Sequence, residues 1–406
     1  MLATRSEALR RLAAFQPEMG DAYAARRNYD LGVQSTVSRL SPWLRRRLLT
    51  EAEVIAAAVQ AHGAQNAAKF IDEVVWRSYF KGWLELRPAI WRDYVEGIAG
   101  DHANLDAGQR QRMADLLRGE SGIACLDAWV EDLTTTGYPH NHARMWFASI
   151  WVFALGLPWR LGADFFLRHL LDGDPASNTL GWRWVAGLHT PGKTYHAEAG
   201  NIAAFTKGRQ FPDAAQIARR YGAPVEPMGL PAPLPLRRPI APDSRWPSLL
   251  LITEEDGCPQ DFDLAALDIR GRLALTASHL RSPDGVSRHV AQFETAGLVD
   301  TLARLGSATS AICPATDPAI LIAHASAVGA RQIVTPYVPT GPLRDWLEDV
   351  APHLEAAGLT LAEWRRPWDE MIWPDCGAGF FKVKAQIPRY LAASGVLQPS
   401  DRKVTS

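Results

Sequence analysis

The sequence predicts a multidomain α and α/β protein, an all-helical domain followed by an α/β domain with a mainly parallel sheet. Three observations predict it. Up to about residue 222 the apolar residues recur at helical spacing and nowhere alternate as strands do. Eight prolines then crowd residues 224–247. Beyond them, short β-rich runs alternate with helical stretches, the rhythm of a parallel sheet with crossover helices.

With 406 residues, the chain has room for two domains, each with its own core. In the first half Val75 and Tyr79, and beside them Trp76, Phe80 and Trp83, repeat at helical intervals. The run Pro231-Ala-Pro-Leu-Pro-Leu cannot continue a helix and favours an extended tether. Strands are expected at Ser248–Ile252, Leu273–Ala277, Ala311–Cys313, Gln332–Val338 and Leu359–Leu361, with helices such as Gln292–Leu305 and Pro342–Ala357 between them. The expected division is a helical domain over 1–223, a Pro-rich linker over 224–247, an α/β domain over 248–392 and a tail over 393–406.

Composition is that of a soluble globular protein, 47% hydrophobic and 21% charged, but fifteen tryptophans ask for a reason: stacking on a flat ligand or plain core packing. Net charge is −1, with +4 before residue 240 and −5 after it, well short of a strong non-specific DNA binder. Arg45, Arg46 and Arg47 and the pairs Arg26/Arg27 and Arg219/Arg220 are candidates for a local positive face; solvated helix faces explain such clusters equally. Met1–Gln16 mixes Arg and Glu and offers no apolar leader, so a cytoplasmic location is expected. Met145–Trp159, the most apolar segment, falls short of the roughly 20 residues that span a bilayer and is read as a buried core helix, with no membrane partner. Cys125, Cys258, Cys313 and Cys376 form no CxxC pair; reduced, mostly buried thiols are expected and no metal site.

The densest segment is Leu171-Asp172-Gly173-Asp174-Pro-Ala-Ser-Asn178-Thr-Leu-Gly-Trp182-Arg-Trp184, with two carboxylates, an amide and two indoles in fourteen positions. Upstream lie Gly137-Tyr-Pro-His140-Asn141-His142-Ala-Arg144-Met145 and Trp159-Arg-Leu-Gly162. Tyr23-Ala-Ala-Arg-Arg-Asn28, Val37-Ser38-Arg39-Leu40-Ser41-Pro-Trp-Leu44 and Asp72-Glu73-Val-Val-Trp76-Arg77 precede them. Singly, these are helix caps and core aromatics. Together, their order and spacing resemble the FAD-binding catalytic domain of the photolyase/cryptochrome family, nearest to its cyclobutane pyrimidine dimer photolyases. Val37 departs from that family's TSRLS loop, where threonine is usual, and the segment Gly119–Ala128 loses the tyrosine and proline of its TGYPxVDA stretch.

The resemblance implies FAD as cofactor. Tyr23 and the loop Val37, Ser38, Arg39, Leu40 and Ser41 would hold its phosphates; hydroxyls, a guanidinium and backbone N–H groups suit that task. Asp172, Gly173 and Asp174 would contact the flavin, with Arg144 pairing Asp172. Asn178 would face flavin N5, where an amide accepts a hydrogen bond from the protonated nitrogen and favours the reduced flavin; Asn178 as a simple cap is the other reading. Trp182 and Trp159 match the first two tryptophans of the family's electron relay. The third is missing where His102-Ala-Asn-Leu-Asp106 stands, so either another aromatic such as Trp151, Trp146 or Trp91 is the outer donor or photoreduction is slow.

For substrate, Glu73, Trp76, Asn141, Met145 and Trp184 match the lesion pocket of the dimer enzymes, two indoles sandwiching a flipped dimer and Glu73 stabilising its radical anion. Damaged DNA is the implied partner. The alternative for Trp76 and Trp184 is ordinary core packing, with Glu73 a surface carboxylate. His142 and Ala197 stand where arginines facing DNA are usual.

Trp368–Trp373 and Gly379-Phe-Phe-Lys-Val-Lys-Ala-Gln-Ile-Pro-Arg389 resemble the closing stretch of the Rossmann-like domain that photolyases carry in front of the flavin domain, which implies a permuted order. No GxGxxG or GxxxxGK[ST] run appears, and an antenna chromophore is left unassigned. The expected function is a blue-light-driven, FAD-dependent lyase for cyclobutane pyrimidine dimers. The alternative is a cryptochrome-like photoreceptor that signals to a protein partner.

Overall fold

The computed structural model describes residues 1–32, 36–190, 193–226, 229–306 and 310–396, and of Ser310 only the backbone. In chain order, α1 (Arg5–Phe15), α2 (Asp21–Arg26), α3 (Ser41–Arg45), α4 (Glu51–Asn66), α5 (Ala68–Glu85), α6 (Pro88–Asn104), α7 (Ala107–Leu117), α8 (Ala124–Thr136), α9 (Asn141–Ser149), α10 (Trp159–His169), α11 (Pro175–Ala186) and α12 (Ala199–Phe205) come first. Then β1 (Ser248–Thr253), β2 (Ile269–Thr276), α13 (Arg288–Arg304), β3 (Ser310–Pro314), α14 (Pro318–Ala327), β4 (Gln332–Pro336), α15 (Pro342–Ala356), β5 (Thr360–Trp364), α16 (Pro367–Ile372) and α17 (Phe380–Ala393) follow. The expected sequence of helices, then alternating strands and helices, is therefore the observed one. Among the described residues of 224–247 there is neither helix nor strand.

Two compact units divide the chain. One holds Met1–Asp21, Leu40–Leu86 and Pro233–Ser406; the other holds Ala22–Arg39 and Arg87–Ala232. The expected helical domain is thus shared between them, since α4 and α5 pack in the unit of the sheet.

In the unit that holds the sheet, five parallel strands run in the order β3-β2-β1-β4-β5, the doubly wound, Rossmann-like order. Side chains alternate across the central strand: Leu249 and Leu251 face one core with Leu273, Leu275 and Leu347, while Leu250 and Ile252 face the other with Leu298, Leu302 and Val334.

Past the end of β1, Glu254, Glu255 and Asp256 enter a buried ionic layer. Arg45 grips Glu255 through two bonds of 2.8 and 2.6 Å, and Arg46 and Arg281 approach Glu254 at 3.2 and 2.8 Å. Arg366 takes both oxygens of Asp256 at 2.5 and 2.7 Å, and Arg47 takes Asp369 at 2.7 Å. Arg45, Arg46 and Arg47 are 1%, 2% and 6% exposed, so they are no positive face: these carboxylates use their charge internally. The pairs Arg26/Arg27 and Arg219/Arg220 lie in the other unit, where Arg26, Arg219 and Arg220 are exposed.

In that other unit, the expected single helix over Met145–Trp159 is broken. It continues from α9 through a wider π-type turn at Ile150–Ala154 and stops where Gly156 adopts φ +65° ahead of Pro158; α10 then starts at Trp159. Its burial is as expected. The four cysteines are free, and burial pushes the thiols of Cys125 and Cys258 up to about 12.

Within the sheet-bearing unit, α5 accepts the 3₁₀ turn Trp373–Gly377 at Gly82, where an added Cβ would stand 2.7 Å from both Cys376 Sγ and Trp373 Cδ1. Gly82→Ala is expected to destabilise the protein by about 1–3 kcal/mol through overpacking, despite the better helix propensity of alanine. Thermal unfolding checks this; an unchanged or raised midpoint would contradict the packing.

Candidate functional site

In the unit formed by Ala22–Arg39 and Arg87–Ala232, the densest motif begins at the N-terminus of α11. Asp174 caps that helix by accepting from the Ser177 N–H at 2.8 Å, Pro175 sits at the first position, and Gly187, at φ +81°, ends it. The cap fixes the phase of the helix, and steps of four residues then place Asn178 and Trp182 on one face. α10 receives both. Asn178 Nδ2 donates to the Ala163 carbonyl at 2.8 Å. Only the NH₂ end can face a carbonyl, so Oδ1 is the end presented as acceptor. One residue earlier, a Cβ on Gly162 would lie 2.3 Å from Trp182 Cη2, so the glycine of the Trp159–Gly162 motif makes the slot for this indole.

Asp172 and Gly173 lie in the turn before α11, where the Gly173 N–H bonds the Leu170 carbonyl at 3.1 Å. Arg144 on α9 reaches Asp172 Oδ2 at 2.9 Å and donates through Nε to the Pro139 carbonyl at 3.0 Å. Burial costs the guanidinium part of its charge preference, but Asp172 reverses this and leaves it more basic than usual. Two cations flank the Tyr138 ring: Arg39 at 4.7 Å and Arg144 at 5.4 Å from its centroid. Arg39 has φ +52°, a left-handed backbone rare outside glycine and kept at a cost of about 1 kcal/mol or more.

Tyr23 is buried on α2, and Val37 and Ser38 are half-buried in the loop before Arg39. Leu40 and Ser41 belong to the sheet-bearing unit, where they open α3. With five residues, α3 has little macrodipole to offer a phosphate. Any such cradle rests on side chains and loop N–H groups.

Trp182 is ringed by Phe166 at 5.1 Å, Trp151 at 6.1 Å and Phe147 at 6.3 Å, all edge-on. Trp159, 2% exposed, lies 5.9 Å from Tyr94, which lies 5.2 Å from Trp91. Of the expected outer donors, Trp151 touches Trp182 directly and Trp91 connects with Trp159 through Tyr94. Trp146 belongs to a separate stack, 5.0 Å from His142 and 5.8 Å from Trp129. Sequence reasoning missed Tyr94; its place three residues after Trp91 on α6 was the available signal.

The expected substrate residues divide between the units. Asn141, Met145 and Trp184 share the unit of Asn178: Asn141 is exposed and touches Met145 Sδ at 3.9 Å, and Trp184 is 38% exposed with Tyr195 beside it at 5.6 Å. Glu73 and Trp76 lie on α5 in the other unit. There Lys69 holds Glu73 at 3.0 Å, and Trp76 stacks on Phe380 at 3.8 Å and 14°.

His142 does not replace the arginine whose place it takes. Its Nδ1 lies 2.7 Å from the Asn28 carbonyl and burial lowers its pKa, so it carries no charge at neutral pH. His140, whose Nδ1 accepts from the His142 N–H, is pushed down to about 4 by burial. Between the ordinary histidine value of about 6.5 and pH 4, the unfolded chain binds a proton at this position that the folded one does not. Stability is therefore lost as pH falls through that window, by at most about 3 kcal/mol from His140. Urea unfolding at pH 7 and pH 5 checks this: His140→Gln is expected to flatten the difference, and an equal difference in both proteins would contradict the assignment. Asn178→Asp, which sets a carboxylate against the Ala163 carbonyl, is expected to cost about 1–3 kcal/mol at neutral pH, read from the same unfolding curves.

Residues 70–224 match the family described as the FAD binding domain of DNA photolyase. A deoxyribodipyrimidine photo-lyase of Streptomyces griseus is 37% identical over 162 residues, 40% of this chain and 34% of the relative. A cryptochrome DASH of Idiomarina loihiensis is 29% identical over 178 residues, 43% of this chain and 39% of the relative. The crystal structure of a bacterial class III photolyase from Agrobacterium tumefaciens aligns with 26% identity and a TM-score of 0.43, over 51% of this chain and 42% of that one. The chain spans less than half the length of the curated relatives it matches. Residues 70–224 are thus similar to the FAD binding domain of DNA photolyase, in a chain that resembles photo-lyases and a cryptochrome DASH over that part of its length.

Proposed function

We propose that this chain is a blue-light-driven, FAD-dependent DNA photolyase that splits cyclobutane pyrimidine dimers, a carbon–carbon lyase with no net redox change. The observation that carries the reading is Asn178, held by the Ala163 carbonyl so that Oδ1 is the free acceptor, on the helix face that also bears Trp182.

FAD, when bound, supplies a one-electron donor that blue light drives. Asn178 Oδ1 would accept the hydrogen bond of a protonated N5, and Asp172, Gly173 and Asp174 would contact the flavin, with Arg144 fixing the Asp172 carboxylate. Tyr23, Ser38, Arg39 and Ser41 would serve the phosphates, Val37 and Leu40 shaping the loop. A guanidinium beside a second cation suits a pyrophosphate. Trp182 and Trp159 would return electrons to an oxidised cofactor. On the DNA side, Trp184 offers a half-exposed indole with Asn141 and Met145, and base stacking on an indole contributes about 1–3 kcal/mol; Glu73 and Trp76 complete the set that the family resemblance implies. Damaged DNA is the partner.

A second reading, a cryptochrome-like photoreceptor acting on a protein partner, is favoured by one specific observation: the neutral, stacked His142 stands where a phosphate-gripping arginine is usual.

One experiment separates the two. Reduced protein with spectrally verified FAD is illuminated with an oligonucleotide carrying a single thymine dimer, and the DNA absorbance band is followed. Light-dependent recovery is expected; its absence sinks repair of that lesion. Trp182→Phe is expected to slow light-driven reduction of the oxidised flavin by about tenfold or more, a barrier change of about 1.4 kcal/mol, while repair by chemically reduced protein persists.

A further inference from the structure

In the sheet-bearing unit the strand order β3-β2-β1-β4-β5 reverses between β1 and β4, and sheets of this order accept nucleotides in the crevice outside the carboxyl ends of those strands. The sequence resemblance implies a domain that can carry an antenna chromophore beside FAD, and this crevice is where the unit would hold one.

A nucleotide phosphate calls for the N–H groups of a helix N-terminus aimed into the crevice. β1 supplies none. Thr253 leads into Glu254, Glu255 and Asp256, and the connection to β2 is built on two 3₁₀ turns, Pro259–Asp261 and Leu264–Ala266, in place of a crossover α-helix. β4 is followed by a helix, α15, but its entry is taken. Glu85 accepts from the N–H of Thr340, which precedes the cap residue Gly341, and from the Tyr337 hydroxyl.

Glu85 is the last residue of α5, and one turn earlier on that helix Lys81 reaches Glu255 at 3.5 Å. Lys81, Glu85, Glu255 and Tyr337 are all buried. α5 thus lies across the reversal point, with a cation at the end of β1 and a carboxylate at the end of β4. It is fixed there from further along the chain: Trp368 Nε1 donates to Ser78 Oγ at 2.8 Å, and the turn Trp373–Gly377 packs on Gly82, between Lys81 and Glu85. An added phosphate does not fit this donor set. At β1 it would face three carboxylates, and at β4 it would have to displace a buried carboxylate from its donors.

We propose that α5 is the built-in occupant of the crevice: Glu85 serves α15 as the anion, Lys81 serves Glu255 as a cation, and the sheet-bearing unit takes no nucleotide chromophore at its carboxyl edge. Bound FAD then receives its light without an antenna from this unit. That consequence rests on the FAD reading; the docking of α5 does not.

The test uses the full chain. Purified protein saturated with FAD is denatured, and the released chromophores are separated and counted by absorbance. In parallel, the FAD-loaded protein is dialysed against FMN as a probe of the crevice. One FAD per chain and no retained FMN are expected. A second chromophore of any kind, or retained FMN, overturns the proposal. Should the protein retain no FAD, the FAD reading falls, and thermal unfolding decides the docking of α5. Glu85→Gln and Lys81→Met are each expected to lower the midpoint, because each leaves buried partners unmatched. Midpoints unchanged in both variants overturn the docking.

Discussion

The site depends on how α11 locks onto α10. Asp174 starts α11 at a fixed residue, and from that point the helical repeat delivers Asn178 and Trp182 to the same side. α10 has a carbonyl at Ala163 for the amide and a gap at Gly162 for the indole. If the cap moved by one residue, both side chains would rotate by about 100° and neither would find its partner. One hydrogen bond at the helix start therefore decides the orientation of an amide acceptor and an oxidisable ring.

A different constraint governs the sheet-bearing unit. Carboxyl ends of parallel strands are where doubly wound folds usually accept ligands. Here the end of β1 is followed by three acidic residues that are met by arginines from residues 45–47, 281 and 366. Such a layer contributes less to stability than an apolar core of the same volume, but it is directional, and each guanidinium fork accepts one carboxylate geometry. It ties the short helix α3, which follows the loop expected to hold the phosphates of FAD, to the carboxyl end of β1. One buried carboxylate stands apart: Glu294, raised to about 7 by burial and by Glu254, accepts from the Ala277 and Ser278 N–H groups.

Aromatic residues serve two ends in this chain. Around Trp182 and Trp159 they form close, nearly dry contacts suited to moving electrons, and Tyr94 extends them to Trp91. Around Trp76 they stack: Phe380 lies flat on a half-buried indole. The same residue type thus makes edge-on contacts around Trp182 in one unit and a flat stack on Trp76 in the other. Only the neighbours distinguish the roles.

By itself, the sequence determined the secondary structure, the parallel α/β character of the second half and the FAD-binding segment, because these follow from short-range facts: helical and strand periodicity, caps such as Asp174 and Gly187, and motifs whose residues lie within a turn or two of each other. Tertiary structure alone decided the rest. Arg45, Arg46 and Arg47 look like a charged surface until remote carboxylates, 210 residues away for Arg45 and 322 for Arg47, pair with them inside the fold. The Met145–Trp159 segment looks like one helix until Gly156 takes a left-handed turn ahead of Pro158. Trp76 gives no local sign of Phe380, remote in the chain, whose ring stacks on it. Pairing over such distances leaves no local periodicity or spacing, so the residues show what they can do, and the fold decides which partner they meet.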